Sequence, residues 1–582
     1  MNAALKLARY LKPYWLSAIL APLLMLLEVS MDLMQPRMIQ RIVDEGIMQY
    51  NLDVVIQTGL LMVGLAFIGA IGGVGCAIFA TLASQGFGTD LRGNLFRKVQ
   101  SLSFGNLDEL ETGGIITRLT NDITQVQEMV SMLLRMMVRA PLMMIGSLVM
   151  AILTSARLAI LFFILMPFVI VLLIWVLRRA YPLFGEVQNR LDRLNTVIQE
   201  NLAGVRVVKA FVRAEREIER FDGANDRLMN QTIDAARAVA VTWPGIGLIV
   251  NLGIAGAIWF GGGQITGGQL QTGELIAFVN YMTRALMSLM FVSMLMMRLA
   301  RAQASANRIE ELMESIPTVR NRPQIDGDFV VQGQVAFENV TFSYNQEEGC
   351  DPVLKDISFH AEPGQTVAIL GATGSGKSSL IHLIPRFYDV TRGCVTLDGR
   401  DVRDLDEALL RHRISVALQE AVLFSGTIRE NIRFGRPDAG DQEVIAAAKA
   451  AQAHDFIVGF PDGYDTVLGQ RGVNLSGGQK QRISIARALI TRPAVLILDD
   501  STSAVDVETE SHIETALDTL AGNSTRFVIA QRISTVLKAD KILVLDDGVI
   551  AAEGKHQDLL GSSPIYREIF ESQLGNGITA NG

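Results

Sequence analysis

The residues with the clearest chemistry are GATGSGKS, Gly371 to Ser378, which satisfy G-x-x-x-x-G-K-[ST] directly after a strand-like run, Thr366 to Leu370. Gly371, Gly374 and Gly376, with Thr373 and Ser375 between them, let backbone N–H groups wrap a β-phosphate where Lys377, Ser378 and Ser379 open a helix. Lys377 is placed to reach the β- and γ-phosphates, and the Ser378 hydroxyl to ligate Mg2+. A second element, the apolar strand Val495 to Leu498, ends in Asp499, whose carboxylate suits the magnesium shell. Together they point to use of a nucleoside triphosphate.

These residues need a rigid frame. VAFENVTFSY, GQTVAILGATGSGKSSLIHLI and AVLILDD alternate β-branched runs with helical ones, which predicts a mainly parallel α/β domain over 335–575. Pro317, Pro323 and Gly327 break the preceding helical pattern, so 316–334 reads as a linker and 576–582 as a tail.

Residues 1–315 are different in kind. The chain is 49% hydrophobic, and most of the excess lies here, in stretches of about 20 residues, the length that crosses a bilayer as helix. Trp15 to Leu33, Ile56 to Leu82, Leu133 to Leu153, Leu158 to Leu177, Val241 to Trp259 and Leu275 to Met296 predict six spans. The fold class is therefore an α-helical membrane domain of six transmembrane helices, extended beyond the bilayer and fused to an α/β P-loop nucleotide-binding domain. Cations at Lys6, Arg9 and Lys12, at Arg92, Arg97, Lys98 and Arg118, and through Arg178 to Arg220 place the N-terminus and the two long connections in the cytoplasm. The N-terminus reads as an amphipathic lead-in to a retained first span, and a short chain without a transit segment suits a bacterial inner membrane.

Ionisable residues inside the spans are costly and mark function. Glu28, Asp32, Arg135, Arg139 and Arg284 qualify. Arg135 and Arg139 share a helix face, and either line an inner cavity or snorkel to headgroups; Glu28 is expected to face the lumen. The methionines of the third and sixth spans, Met287 to Met297 among them, read as helix packing before a site for varied apolar ligands. A net charge of -8 lacks the basic footprint of a nucleic-acid binder. Cys76, Cys350 and Cys394 are too scattered for a zinc site and read as reduced packing residues.

LSGGQ, Leu475 to Gln479, followed by KQRISIARAL, resembles the signature of ATP-binding cassette (ABC) proteins. With six preceding spans, nearly the whole chain resembles a half-transporter of the multidrug and lipid exporter class. By that resemblance the nucleotide is ATP, Tyr344 stacks on adenine, Gln419 joins the magnesium to the membrane domain, and Ser503 to Asp506 is the loop after the catalytic carboxylate. Outside the motif series Tyr344 would be a core aromatic and Gln419 a loop amide. Two cassettes of this family sandwich ATP, so Ser476, the amides of Gly477 and Gly478, and the helix that follows would serve a γ-phosphate held by another chain. TGGIITRLTNDITQVQ and ENLAGVRVVKAFVRAEREIERF resemble the cytoplasmic connections that carry coupling helices.

The chain departs from the family at its hydrolytic site. Asp500 stands where a general-base Glu is expected, and Gln531 where a His is expected. Asp is one methylene shorter, which withdraws the carboxylate by roughly 1 Å, and such a misplacement can cost about a hundredfold in rate. An amide donates a hydrogen bond but does not titrate near neutrality. Gln470 replaces a Glu that many exporters carry just before the signature. The pattern resembles the degenerate half of heterodimeric bacterial exporters, and a second half-transporter is the expected partner. The alternatives are a homodimeric exporter or lipid flippase, an importer, and, in another class, a nucleotide-gated channel or regulatory subunit.

Overall fold

The computed structural model describes residues 3–321, 331–344, 351–520, 522–530 and 533–574. The expected linker is therefore described only at its two ends, and Cys350 and the tail lie outside the described residues. The chain forms two units: Met1–Gln100 with Thr112–Glu314, and Ser101–Glu111 with Ser315–Gly582.

The first unit is helical. Its long elements include Trp15–Arg41, Leu52–Gln100, Ile123–Thr154, Ala159–Ala203, Thr242–Thr266 and Thr272–Glu314, and these hold the six apolar stretches to within one residue at their starts. Among the described residues five helices have the length and composition to cross a membrane; in the sixth, the side chains of 290–298, four methionines among them, lie outside the description. Pro22 and Pro36 are carried inside the first of these helices, as membrane helices permit when neighbours satisfy the freed carbonyls. Small residues set the packing distance. A Cβ added at Gly72 would stand 2.9 Å from the Leu24 carbonyl, and one at Gly253 2.5 Å from Leu165 Cδ1, so methyl groups there would push helices apart. The two long connections are helical as expected, through Leu52–Gln100 on one side and Ala159–Ala203 with Ala214–Ala240 on the other.

Among the described residues the second unit carries a four-stranded and a six-stranded sheet, with a separate pair of two-residue strands, Gly426–Thr427 and Val467–Leu468. Strands β1 (Val335–Phe342), β2 (Leu354–Ala361), β3 (Thr366–Gly371), β4 (Arg392–Leu397), β5 (Arg400–Asp401), β6 (Ile414–Ala417), β7 (Val495–Asp499), β8 (Thr525–Ile529), β9 (Lys541–Asp546) and β10 (Val549–Gly554) are used below. The order β2-β1-β4-β5 makes an antiparallel sheet, and β10-β9-β3-β8-β7-β6 a sheet whose β9, β3, β8, β7 and β6 run parallel. All five residues of β7 are buried, because a parallel strand is covered on both faces and so reads as an unbroken apolar run. Register sets Ile529 beside Ile369 and beside Asp499. The carboxyl ends of β3, β8 and β7 thus finish level, where ligands of open α/β sheets bind.

Two charged residues fasten the chain that enters this unit. The Asp398 carboxylate accepts amide hydrogens from Gln332 (2.7 Å), Gly333 (3.0 Å) and Gln334 (2.7 Å). Arg386, 1% exposed, donates to Asp389 Oδ1 (2.7 Å) and to the Arg320 carbonyl (2.7 Å). Removing one partner of a buried ionic pair strands the other. Arg386→Met is accordingly expected to destabilise this unit by about 3–5 kcal/mol, read as a lower midpoint in thermal unfolding of the full chain; an unchanged midpoint would show that Arg386 holds nothing.

Candidate functional site

The loop after β3 is shaped by its glycines. Gly371, Gly374 and Gly376 have φ of +151°, +88° and +99°, which side chains rarely adopt. A Cβ at Gly371 would meet the Leu545 carbonyl at 2.2 Å, whereas one at Gly374 would find open space. That space belongs to a cleft of about 840 Å³ lined by Gly371 to Gly374, Gly376 to Ser379, Gln419, Asp499 and Asp500. Among the described residues the buried Ser375 Oγ has no hydrogen-bond partner. An open cradle with a spare hydroxyl beside it fits a polyphosphate.

Lys377 heads the helix Lys377–Leu383. Its Nζ donates to the carbonyls of Gly371 (2.9 Å) and Ala372 (2.7 Å), folded back over its own loop. Burial pulls its pKa below the ordinary 10.5, and the negative charges of Asp500 and then Asp499 offset part of that. A phosphate chain entering the cradle would supply the counter-charge that burial makes valuable.

Magnesium is tested by the donors present. Ser378 Oγ donates to Asp499 Oδ1 at 3.2 Å, and Asp499 is 4% exposed. Hydroxyl and carboxylate are hard oxygen donors on one spot, and no three His, Cys, Asp or Glu side chains cluster as a metal cage among the described residues. That suits an ion brought in largely on substrate phosphates and waters. Gln419 Nε2 donates to Asp500 Oδ2 at 3.2 Å, which sets the glutamine beside the acidic pair at the end of β7. Asp500 has φ of +49°, a left-handed turn that Asp tolerates better than most residues. Its carbonyl accepts from Ser503 Oγ at 2.9 Å, which starts the loop running to Asp506. Asp506 in turn accepts from Thr509 N (2.9 Å) and Thr509 Oγ1 (2.8 Å), opening the helix Val507–Leu520. Gln531 lies outside the described residues.

Tyr344 is held by a hydrogen bond with Ser379 Oγ (2.9 Å) and stands edge-on to Tyr388, centroids 5.1 Å apart. Leu475 to Gln479 forms the start of the helix Gly477–Leu489: Ser476 Oγ accepts from Gln479 N (3.3 Å), and Gln479 Oε1 accepts from Ser476 N (2.9 Å). This reciprocal cap leaves the Gly477 and Gly478 amides pointing off the helix end. None of these five residues lines the 840 Å³ cleft. The phosphate loop, Gln419, Asp499 and Asp500 are brought together; the signature is not brought to them.

In the first unit, Arg139 donates to Glu28 Oε1 (2.5 Å) and Asp32 Oδ2 (3.2 Å), and Arg284 to the Asp32 carbonyl (2.9 Å). A Cβ at Gly73 would be 2.9 Å from Glu28 Oε2, so Glu28 sits against a neighbouring helix where only glycine leaves room. Arg135, one turn before Arg139, is exposed.

Three residues escaped the sequence reading. Gln481, 7% exposed, donates to Ser503 Oγ (3.2 Å) and accepts from Ala504 N (3.0 Å), tying the signature helix to the loop after Asp500. His382 stands 3.6 Å from Asp499. Tyr388 donates to Asp108 while Phe104 stacks on Phe387, centroids 4.2 Å apart. Ser103 and Asn106 add bonds to Val319 N (2.9 Å) and Thr318 N (3.1 Å). A connection from the membrane half is thus clamped beside the residue that neighbours Tyr344. A buried amide two places past LSGGQ was a usable signal for Gln481; pairs hundreds of positions apart offered none.

Residues 18–290 match the family model for the ABC transporter transmembrane region and 354–503 that for the ABC transporter. The ABC transporter ATP-binding protein YfiB of Bacillus subtilis is 44% identical over 98% of each chain. YgaD of the same organism, a putative multidrug export ATP-binding/permease protein, is 36% identical over 83% of each. A solved bacterial Atm1-family ABC exporter with ATP bound superposes with a TM-score of 0.78 at 28% identity, over 98% of this chain and 99% of that one.

Lys377→Ala is expected to weaken ATP binding to the full chain about a hundredfold, and unchanged affinity would remove the phosphate-binding assignment. Since burial lowers the Lys377 pKa from the ordinary 10.5, its charge is lost on raising the pH earlier than that of a free lysine. Affinity should fall with that loss in the native chain and stay level in Lys377→Arg. Tyr388→Phe keeps the ring and loses the bond to Asp108. Amide exchange across 103–110 should quicken while ATP affinity stays within about twofold; unaltered exchange would mean that the clamp does not depend on this hydroxyl.

Proposed function

The chain belongs to the ABC transporter family, with membrane and ATP-binding regions fused in one polypeptide, and on that premise we propose that it is one half of an ATP-driven exporter of small hydrophobic or amphipathic molecules. It is an ATPase coupled to transport. The observation that carries the further reading is the division of the site: the phosphate loop, Asp499 and Gln419 share a cleft that Leu475 to Gln479 does not line. A signature helix capped with its first amides outward is a donor set for a γ-phosphate held elsewhere.

The mechanism then follows from differential binding. The phosphate loop binds and orients ATP, Lys377 placing its charge over the outer phosphates. Ser378 and Asp499 would hold Mg2+, which supplies neutralisation of the developing phosphate charge. A partner chain's signature completes this chain's site, and this chain's Ser476 helix completes the partner's. ATP thereby favours the closed pair of cassettes over the open one, and only that difference can drive the membrane helices between inward- and outward-facing states. Residues 101–111, packed in the cassette unit, provide one physical route from cassette to helices. The exposed Val207, Phe211 and Val212 of the other connection suit docking on a partner's cassette. The cations around the spans favour a cytoplasmic N-terminus and cassette at a bacterial inner membrane.

We read the chain's own site as slow and the transporter as a heterodimer. Asp500 is one methylene short, its carboxylate is engaged by Gln419, and Gln531 offers no titratable ring. The partner would carry the Glu and His and borrow the signature of this chain. Magnesium-dependent hydrolysis by this chain alone in lipid should be weak and rise strongly when a partner is co-expressed. Asp500→Glu with Gln531→His should raise turnover of the chain alone by about tenfold or more. Comparable turnover alone and with the partner would make a homodimer the correct description.

A further inference from the structure

Behind the turn that follows Asp500 lies a second cavity in the cassette, of about 250 Å³, between the helix Val507–Leu520 and strands β7 and β8. Only Ile529 is common to its walls and those of the nucleotide cleft. One wall is apolar, from Ile513, Leu517 and Val528. Most polar groups on the other walls already have partners: Thr502 Oγ1 donates to Glu510 (2.9 Å), Arg526 pairs with Asp518 (2.6 Å), and Asp540 accepts from Thr366 N (2.9 Å).

Three groups do not fit that satisfied pattern, the first being Arg526, whose buried Nε has no hydrogen-bond partner among the described residues. Ser501 is 2% exposed, lines the cavity, and its Oγ has no hydrogen-bond partner among the described residues. A buried hydroxyl left in that state costs free energy unless something occupies the space before it. Glu514 has as its described ion-pair partner only Lys538, 3.9 Å away and 70% exposed. Burial first, and the like charges of Glu510 and Asp518, push the Glu514 carboxyl up to about 7 against the opposing pull of Lys538 and Arg526. The carboxylates are spread along the walls and form no three-fold cluster of metal ligands among the described residues, so a point ion is the wrong shape.

We propose that this cavity binds a small organic cation that also carries a hydrogen-bond acceptor, an amino alcohol with an apolar body. Its ammonium pairs with Glu514, its oxygen accepts from Ser501 Oγ, and its hydrocarbon lies on Ile513, Leu517 and Val528. The volume is just below the range of drug-sized pockets, which selects a molecule of one ring. Ser501 and Thr502 directly follow Asp500, so the site is regulatory by position. A bound ligand that prefers one arrangement of this turn shifts ATP binding, and ATP shifts ligand binding by the same factor.

Phenylalaninol and its neutral counterpart 3-phenylpropan-1-ol are the probes, with the full chain in lipid nanodiscs and binding measured by equilibrium dialysis. Phenylalaninol should bind saturably and at least about tenfold more tightly than the alcohol. Binding should strengthen from about pH 6 to about pH 8, by up to about tenfold, as Glu514 ionises. Glu514→Gln and Ser501→Ala should each weaken it several-fold, with ATP affinity of Glu514→Gln reporting an intact fold. Non-saturable uptake, equal binding of the two probes, or a Glu514→Gln chain that binds ATP and phenylalaninol as before would each overturn the proposal. None of these outcomes touches the assignment of the nucleotide cleft.

Discussion

The backbone bonds that set β8 between β3 and β7, with Ile529 opposite both Ile369 and Asp499, decide where every reactive group of the cassette can stand. Parallel strands in that register end level. The phosphate loop leaves one strand, the Asp499–Asp500 pair leaves another, and the segment toward Gln531 leaves the third, all at one edge. A slip of one residue in β7 would turn Asp499 to the opposite face and separate it from Ser378, 3.2 Å away. All five side chains of β7 are covered, which keeps the strand in the interior of the sheet.

From that edge the geometry spreads along two short chains of contact. One runs from Asp500 through Ser503 to Gln481, so the helix that opens at Gly477 is tied to the turn after Asp499. The other runs from Ser379 through Tyr344 and Tyr388 to Asp108 and Phe104. Both are contiguous chains of hydrogen-bonded or packed side chains, with Gln481 and Tyr388 each touching more than one neighbour.

Much of this was legible in the sequence because its signals are local. Glycine spacing announces the phosphate loop and apolar runs announce the spans, whereas nothing local announces that Ser101–Glu111 groups with Ser315–Gly582. What the sequence could not show was pairing over distance. Arg135 and Arg139 looked alike on one helix face and both are exposed, yet Arg139 is committed to Glu28 and Asp32. The unpartnered Ser501 hydroxyl was equally invisible, since a serine after DD reads as turn chemistry until its surroundings are known.

The membership of Ser101–Glu111 in the cassette unit has a consequence for how such chains are recombined. A cassette excised at residue 315 keeps every nucleotide motif but leaves behind the ring that covers Phe387 and the carboxylate that accepts from Tyr388. The heritable module is therefore discontinuous. A graft between relatives would succeed by carrying an eleven-residue island from the membrane half with its graft, and one that omits it would trade a paired aromatic surface for an exposed one.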